Sequence, residues 1–238
     1  MKTDWRDYLL IGLSIVSILT VTLSLLFALE GLVVGWLGSL YAPIVLAATF
    51  LYLYGLTSAV FLRVLQRLYP LRPGRYRLNH PQFRLWKLRH VVSELAKGAL
   101  KPFYPVFIRH ALYSLLGGRI GKNVAVAGVI VDPELTTLDD GCVIGEGAIL
   151  SSHVMARGRF VLAEVRVGAG ATIGGGAGLM PGVRVGTGAV VLPFALVETD
   201  TEVGSGEVWG GLPARREKSR GEPASRQAGD TSTGQDRE

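Results

Sequence analysis

From Ile120 to Val208 an aliphatic residue returns at nearly every sixth position. The series runs Ile120, Val126, Asp132, Leu138, Ile144 and Leu150, slips by one residue after Met155, and resumes as Val161, Val167, Ile173, Leu179, Val185, Val191, Val197 and Val203. Asp132 is the one non-aliphatic member. Four positions after nearly all of these comes a small or β-branched residue, among them Cys142, Ala148, Ala171, Ala177, Ala189 and Ala195. Glycine is frequent between them, as in Ile144-Gly145-Glu146-Gly147.

A period of six matches neither the 3.6 residues of an α-helix nor the alternation of an antiparallel sheet. It predicts a parallel β-helix whose coils turn at glycine-rich corners and bury their apolar side only by stacking. At three hexads per coil the stretch makes almost five coils, and with strands ~4.8 Å apart the stack is ~23 Å tall.

Two uncharged stretches precede the repeats. Tyr8–Leu29 is long enough to cross a bilayer, and too long for a cleaved signal peptide, with no clear small-residue cleavage site. Gly31–Leu62 is also uncharged; its crossing part is expected at Tyr41–Leu62, with Pro43 near its start and Leu32–Leu40 as a turn or an interfacial piece holding Trp36. Lys2 and Arg6 lie before the first stretch and Arg63, Arg67, Arg72, Arg75 and Arg77 after the second, whereas the connection has no Lys or Arg. The positive-inside rule then places both termini, and the repeats, in the cytoplasm.

Pro70–Pro81 reads as a turn-rich linker. Gln82–Leu100 is expected as an amphipathic helix with Leu85, Leu88, Val92, Leu95 and Ala99 on one face, lying either on the membrane surface or against the base of the prism. A short helix over Phe103–Leu116 follows, ended by Gly117-Gly118. The expected divisions are a transmembrane hairpin (1–69), a linker with amphipathic helices (70–117), the β-helix (118–214) and a disordered polar tail (215–238).

Composition adds little: 49% of the residues are hydrophobic and the net charge is +6. The basic residues flank the apolar stretches and form no separate basic domain, so nucleic acid is not an expected partner. The lone Cys142 excludes an intrachain disulfide and reads as a small buried filler.

Over roughly Gly117–Arg216 the hexads resemble the hexapeptide-repeat acyltransferase family. The resemblance implies a left-handed coil of triangular section, an acyl-CoA such as acetyl-CoA as co-substrate, and three prisms packed side by side with active sites in the clefts between them. His153 is the only histidine within the repeats and stands just before the break at Ala156–Phe160. In the family such a histidine is the general base on an acceptor hydroxyl or amine, a task suited to imidazole. Related proteins carry a Pro–acid–Leu element like Pro133-Glu134-Leu135, so Glu134 either orients His153, binds the acceptor, or merely shapes a bulged corner. Gly174 and Gly175, with Gly176, offer backbone N–H groups to an oxyanion or simply let a coil turn tightly. Gly211, Pro213, Ala214 and Arg215 resemble the signature that closes many acyltransferase prisms, where the backbone and a basic residue contact CoA.

Hexad prisms also occur in γ-class carbonic anhydrases, which hold zinc with three histidines. His80, His90 and His110 all precede the repeats, so no metal is expected. The order hairpin, linker, prism further resembles the terminal membrane-attached domain of poly-lysine-type peptide synthetases, although that domain has more membrane helices and tandem modules. Acyl transfer to a small-molecule or lipid-linked acceptor is the leading expectation. Peptide-bond formation and a non-catalytic scaffold for a membrane complex are the alternatives.

Overall fold

A computed structural model describes residues 5–217, without the side chains of residues 37–39. The expected disordered tail lies outside the described residues from residue 218 onward. The architecture combines a helical N-terminal part with a strand-rich C-terminal part.

Helical backbone extends from Trp5 to Leu68, in two apolar helices long enough to cross a membrane, α1 (Trp5–Trp36) and α2 (Leu40–Leu68). They fold back on each other, because Thr22 and Thr57, 35 residues apart, share a hydroxyl–hydroxyl hydrogen bond of 2.7 Å. A straight helix would separate those residues by ~50 Å. The expected turn over Leu32–Leu40 is instead largely helical.

Helix α3 (Pro81–Leu100) begins behind His80, whose Nδ1 accepts from the Gln82 N–H. It does not lie free on a surface. Val92, Ala96 and Leu100 pack with Ile18, Ala59 and Leu62 of the helical hairpin and with Leu112 and Leu116. Phe83 and Trp86 pack with Leu135, Phe160 and Leu162 of the strand-rich part. Burial therefore centres on Phe83, Trp86, Val92, Ala96 and Ala99; of the expected face Val92 and Ala99 are buried, whereas Leu85, Leu88 and Leu95 are only half-buried, because α3 is sandwiched and the sequence pattern anticipated one face only. Two short 3-10 turns and helix α4 (Arg109–Leu115) fill the remaining step to the first coil.

The repeats form three parallel sheets. One face stacks Arg119–Ile120, Thr136–Leu138, Val165–Val167, Arg184–Val185 and Glu202–Val203. The second stacks Ala125–Val126, Val143–Ile144, Thr172–Ile173, Val190–Val191 and Val208–Gly210, and the third Val129–Ile130, Ile149–Leu150, Gly178–Leu179 and Leu196–Val197. Each strand pairs with the one a coil later, usually 18 positions on, as Val167 with Val185 and Ile173 with Val191. Large aliphatics such as Ile144, Leu150, Ile173 and Val191 fill the interior together with Ala148, Ala171, Ala177 and Ala189, all with at most 1% exposure. One corner shows why glycine is required: a Cβ on Gly174 would stand 2.4 Å from the Pro193 nitrogen of the next coil.

Two departures from the expected register matter for the site. Ile130, not Asp132, is the inward strand residue, pairing with Leu150. The preceding turn is two residues shorter and the following corner correspondingly longer, which frees Asp132 from the core. Secondly, Val161 belongs to no coil. Leu138 pairs with Val167, 29 positions on instead of 18, and the extra residues form an antiparallel hairpin, His153–Ala156 with Arg159–Leu162. The supposed linker supplies a third strand, Gly74–Arg77, to that hairpin. Backbone pairing, invisible to a turn-rich composition, converts a loop into an edge strand.

Candidate active site

His153 opens the inserted hairpin where the chain leaves the third face, and Asp132 lies at the same corner one coil below. The Val131 N–H donates to the Leu150 carbonyl, aligning the two corners. The Thr136 hydroxyl donates to the Asp132 carbonyl at 3.0 Å, and the 3-10 turn Pro133–Leu135 fixes the corner. The Asp132 carboxylate is thus held beside the next coil. One oxygen, Oδ2, lies 2.7 Å from His153 Nδ1 and accepts from the Ser152 N–H at 3.2 Å. The other, Oδ1, accepts from the Trp86 indole N–H at 3.0 Å.

Burial pushes the Asp132 carboxyl up, but its hydrogen bond and charge interaction with His153, helped by Trp86, outweigh burial and hold it below the usual carboxylate range. An ionised Asp132 accepts the His153 Nδ1–H, which leaves Nε2 with its lone pair. No described residue hydrogen-bonds that Nε2. The His153 side chain retains 16% exposure, so the ring is held firmly yet reachable.

The site's roof comes from α3. The Trp86 ring lies 4.3 Å from that of His153 and 4.9 Å from that of Phe160, centroid to centroid. His90 stacks on Trp86 at 4.9 Å and stands edge-on to His153 at 5.7 Å, so the three rings form one cluster. Burial pushes His90 down, only partly opposed by Asp132, whose Oδ1 is 3.9 Å from His90 Nδ1. Trp86 and His90 were not legible as site residues. They carry no repeat signature, and only their spacing of four on one helix hinted at a shared face.

Glu134 does not meet His153. It forms a close ion pair with Arg89 of α3, which is 2% exposed and also donates to the Tyr69 carbonyl at 2.9 Å. Burial pushes the Glu134 carboxyl up to about 7 although the Arg89 guanidinium pulls it down. The pair ties α3 to the corner that carries Asp132.

Gly174 and Gly175 turn the corner between the second and third faces, a different edge from that of His153. The Gly174 N–H donates to the Val191 carbonyl and the Gly175 carbonyl accepts from the Phe194 N–H, so both serve the coil. The closing segment caps the last coil: the Ala214 N–H donates to the Leu196 carbonyl at 2.7 Å, Gly211 accepts from the Leu196 N–H, and Ala214 is buried. The Leu212–Pro213 bond is cis. Arg215 reaches Glu198 at 3.3 Å and remains 67% exposed. The Arg215 backbone pairs with Gly210 of the second-face strand, while its guanidinium reaches Glu198, which follows the third-face strand Leu196–Val197.

No family model matches the chain. A delta-poly-L-ornithine synthetase of Acinetobacter baumannii (strain AB307-0294) is 28% identical over 150 residues, 60% of this chain and 11% of the relative. The chain thus spans about a tenth of the curated relative's length. Solved structures that it resembles are hexapeptide-repeat acetyltransferases. One, from Vibrio cholerae, covers 55% of this chain and 92% of its own at 18% identity and a TM-score of 0.41. The acetyl-CoA complex of such a Vibrio cholerae enzyme covers 43% and 60% at 23% identity, with a TM-score of 0.40. A galactoside acetyltransferase in complex with coenzyme A covers 69% and 82% at 16% identity, with a TM-score of 0.41.

Proposed function

We propose that the protein is a membrane-anchored acyltransferase that uses acetyl-CoA or another acyl-CoA to acylate a hydroxyl or amine. The observation that carries this reading is the Asp132–His153 pair, with the Nε2 face of His153 left free at the one place where the coils are interrupted. Nε2 removes the acceptor proton as the acceptor oxygen or nitrogen attacks the thioester carbonyl. Asp132 stabilises the imidazolium that results. Collapse of the tetrahedral adduct breaks the carbon–sulfur bond, and the imidazolium returns the proton to the departing thiolate. Arg215, permanently charged and exposed, suits the phosphates of CoA. Glu134 acts through Arg89 by holding α3 over the site.

On this reading the coils wind left-handed, as the resemblance to hexapeptide-repeat acyltransferases implies. The hairpin segment (1–69) anchors the chain, 70–117 covers the site and 118–214 is the catalytic prism. Both termini and the prism are cytoplasmic, by the charge distribution around the apolar stretches. The prisms assemble as a homotrimer in which a neighbouring chain completes the donor site; outward-facing Val129, Val143 and Ile149, 42–51% exposed on adjoining faces, suit such contacts. An active monomer in detergent would overturn the assembly. A second reading, formation of peptide bonds on an amine acceptor, is favoured by the likeness to the poly-ornithine synthetase.

The test is incubation of the full-length protein with acetyl-CoA and pooled hydroxyl and amine acceptors, reading free CoA thiol and product mass. Acceptor-dependent thiol release that His153→Ala lowers by about 10²–10⁴-fold in a folded protein supports the proposal. Unchanged release by His153→Ala would leave the scaffold reading.

A further inference from the structure

We infer that the α1–α2 hairpin enters only one leaflet of the bilayer, with its tip near the midplane, rather than crossing the membrane twice. The inference rests on the membrane anchoring proposed above and replaces the two-span arrangement expected from hydropathy.

Helix α3 runs beside the hairpin. Near one end Asp7 pairs with Arg84, at 3.0 Å, and with Lys87. Midway, Ile18 packs with Val92 and Ala96. At the other end Leu100 lies against Gly55, where a Cβ would meet Leu100 Cγ at 2.4 Å, and the Phe103 and Tyr52 rings are 5.2 Å apart. The proximal half of the hairpin is therefore sheathed by a helix bearing Arg84, Lys87, Arg89, Glu94 and Lys97. The same helix touches the prism: Lys97 donates to the Val131 carbonyl at 2.8 Å. A membrane over Tyr8–Leu29 would submerge these charges, ion-paired with Asp7, Glu134 and Glu94, together with the adjoining coils in hydrocarbon, where irregular backbone and open sheet edges do not face lipid.

What remains free is short. Leu23–Trp36 and Leu40–Leu51 project beyond the level of Thr22 and Tyr52, and at 1.5 Å per residue they extend only ~18–21 Å. A hydrocarbon core is ~30 Å thick and a bilayer with its headgroups ~40–45 Å, so the projection matches one leaflet with its interface. Its surface is apolar: Phe27, Leu32, Trp36 and Leu40 are 71–91% exposed. An interfacial belt stands where it emerges. Lys101 is exposed there, and Tyr52, Phe103 and Tyr104 cluster alongside. Aromatic rings and a basic group at that level suit the headgroups of a leaflet containing anionic lipid. Glu30 lies within the projecting part in either arrangement and does not distinguish them.

The full-length protein carrying Cys142→Ala is inserted into phosphatidylcholine–phosphatidylglycerol vesicles with the prism outward. Single cysteines replace Thr187, on the prism, and Leu40, at the hairpin tip. Flotation with the vesicles is expected, and its loss would overturn the anchoring itself. An impermeant maleimide outside should label Thr187→Cys fully. Leu40→Cys should resist the reagent from outside and also when it is enclosed in the lumen, reacting only after detergent is added. Lumenal labelling of Leu40→Cys in protein that floats would overturn the one-leaflet insertion while leaving the anchoring intact.

Discussion

His153 Nδ1 and Asp132 Oδ2 stand 2.7 Å apart although 21 residues separate them in the chain. Stacking of successive coils brings them together, and the Ser152 N–H and the Trp86 indole hold the carboxylate in place. The pair fixes the tautomer that leaves Nε2 basic, which makes the aspartate the most informative position to alter.

Asp132→Asn should preserve the size of the side chain while removing the charge that fixes the Nδ1–H tautomer and stabilises the imidazolium. Acyl transfer should fall by on the order of 10²–10⁴-fold with little change in acceptor KM. Steady-state kinetics on protein of unchanged circular dichroism check this, and near-normal kcat would sink the assigned role.

Trp86→Phe keeps an aromatic ring against His153 and Phe160 but deletes the donor to Asp132 Oδ1. A hydrogen bond to a buried charge contributes ~1.5–3 kcal/mol, so kcat should drop roughly 10–100-fold. The loss should appear in kcat with acceptor KM little changed, whereas a purely steric effect of the ring would raise KM.

Glu134 has a folded-state carboxyl pushed up to about 7, above the ordinary value of 4.5. Between those pH values the folded protein holds a proton that the unfolded chain has released, so stability should decline as pH rises from about 4.5 to about 7. Melting temperatures across that window should flatten in Glu134→Gln. Arg89→Ala removes the group that draws this carboxyl down, so Glu134 should stay protonated to higher pH and the decline should move to higher pH.

Gly174→Ala separates a coil requirement from a catalytic one. Its new Cβ would stand 2.4 Å from the Pro193 nitrogen and 2.7 Å from the Leu192 carbonyl carbon, both backbone atoms with little room to move. Destabilisation of about 1–3 kcal/mol is expected from such overpacking, read as a lowered melting temperature with kcat per folded molecule unchanged. A selective loss of kcat at full stability would return Gly174 to the oxyanion role.

The sequence alone determined the elements whose energetics repeat locally. A hexad that must bury one aliphatic and one small residue leaves the same signature at every turn, so the parallel coils, their number and an interruption near Met155 were legible, although Val161 read as a coil position and lies in the hairpin. Length and hydropathy likewise marked both apolar helices. Tertiary structure decided what depends on partners distant in the chain. Two residues moved from one corner to the next take Asp132 out of the core and place Ile130 there, a choice set by pairing with Leu150 and by the demand of His153 for a carboxylate. Gly74–Arg77 becomes a strand only because Arg159–Leu162 offers an unpaired edge. Trp86, Arg89 and His90 become site residues only because α3 is buried between the hairpin and the prism. That same sandwiching limits how much of the hairpin is free to meet lipid: hydropathy measures the affinity of a segment for hydrocarbon, whereas the depth it reaches depends on what already covers it.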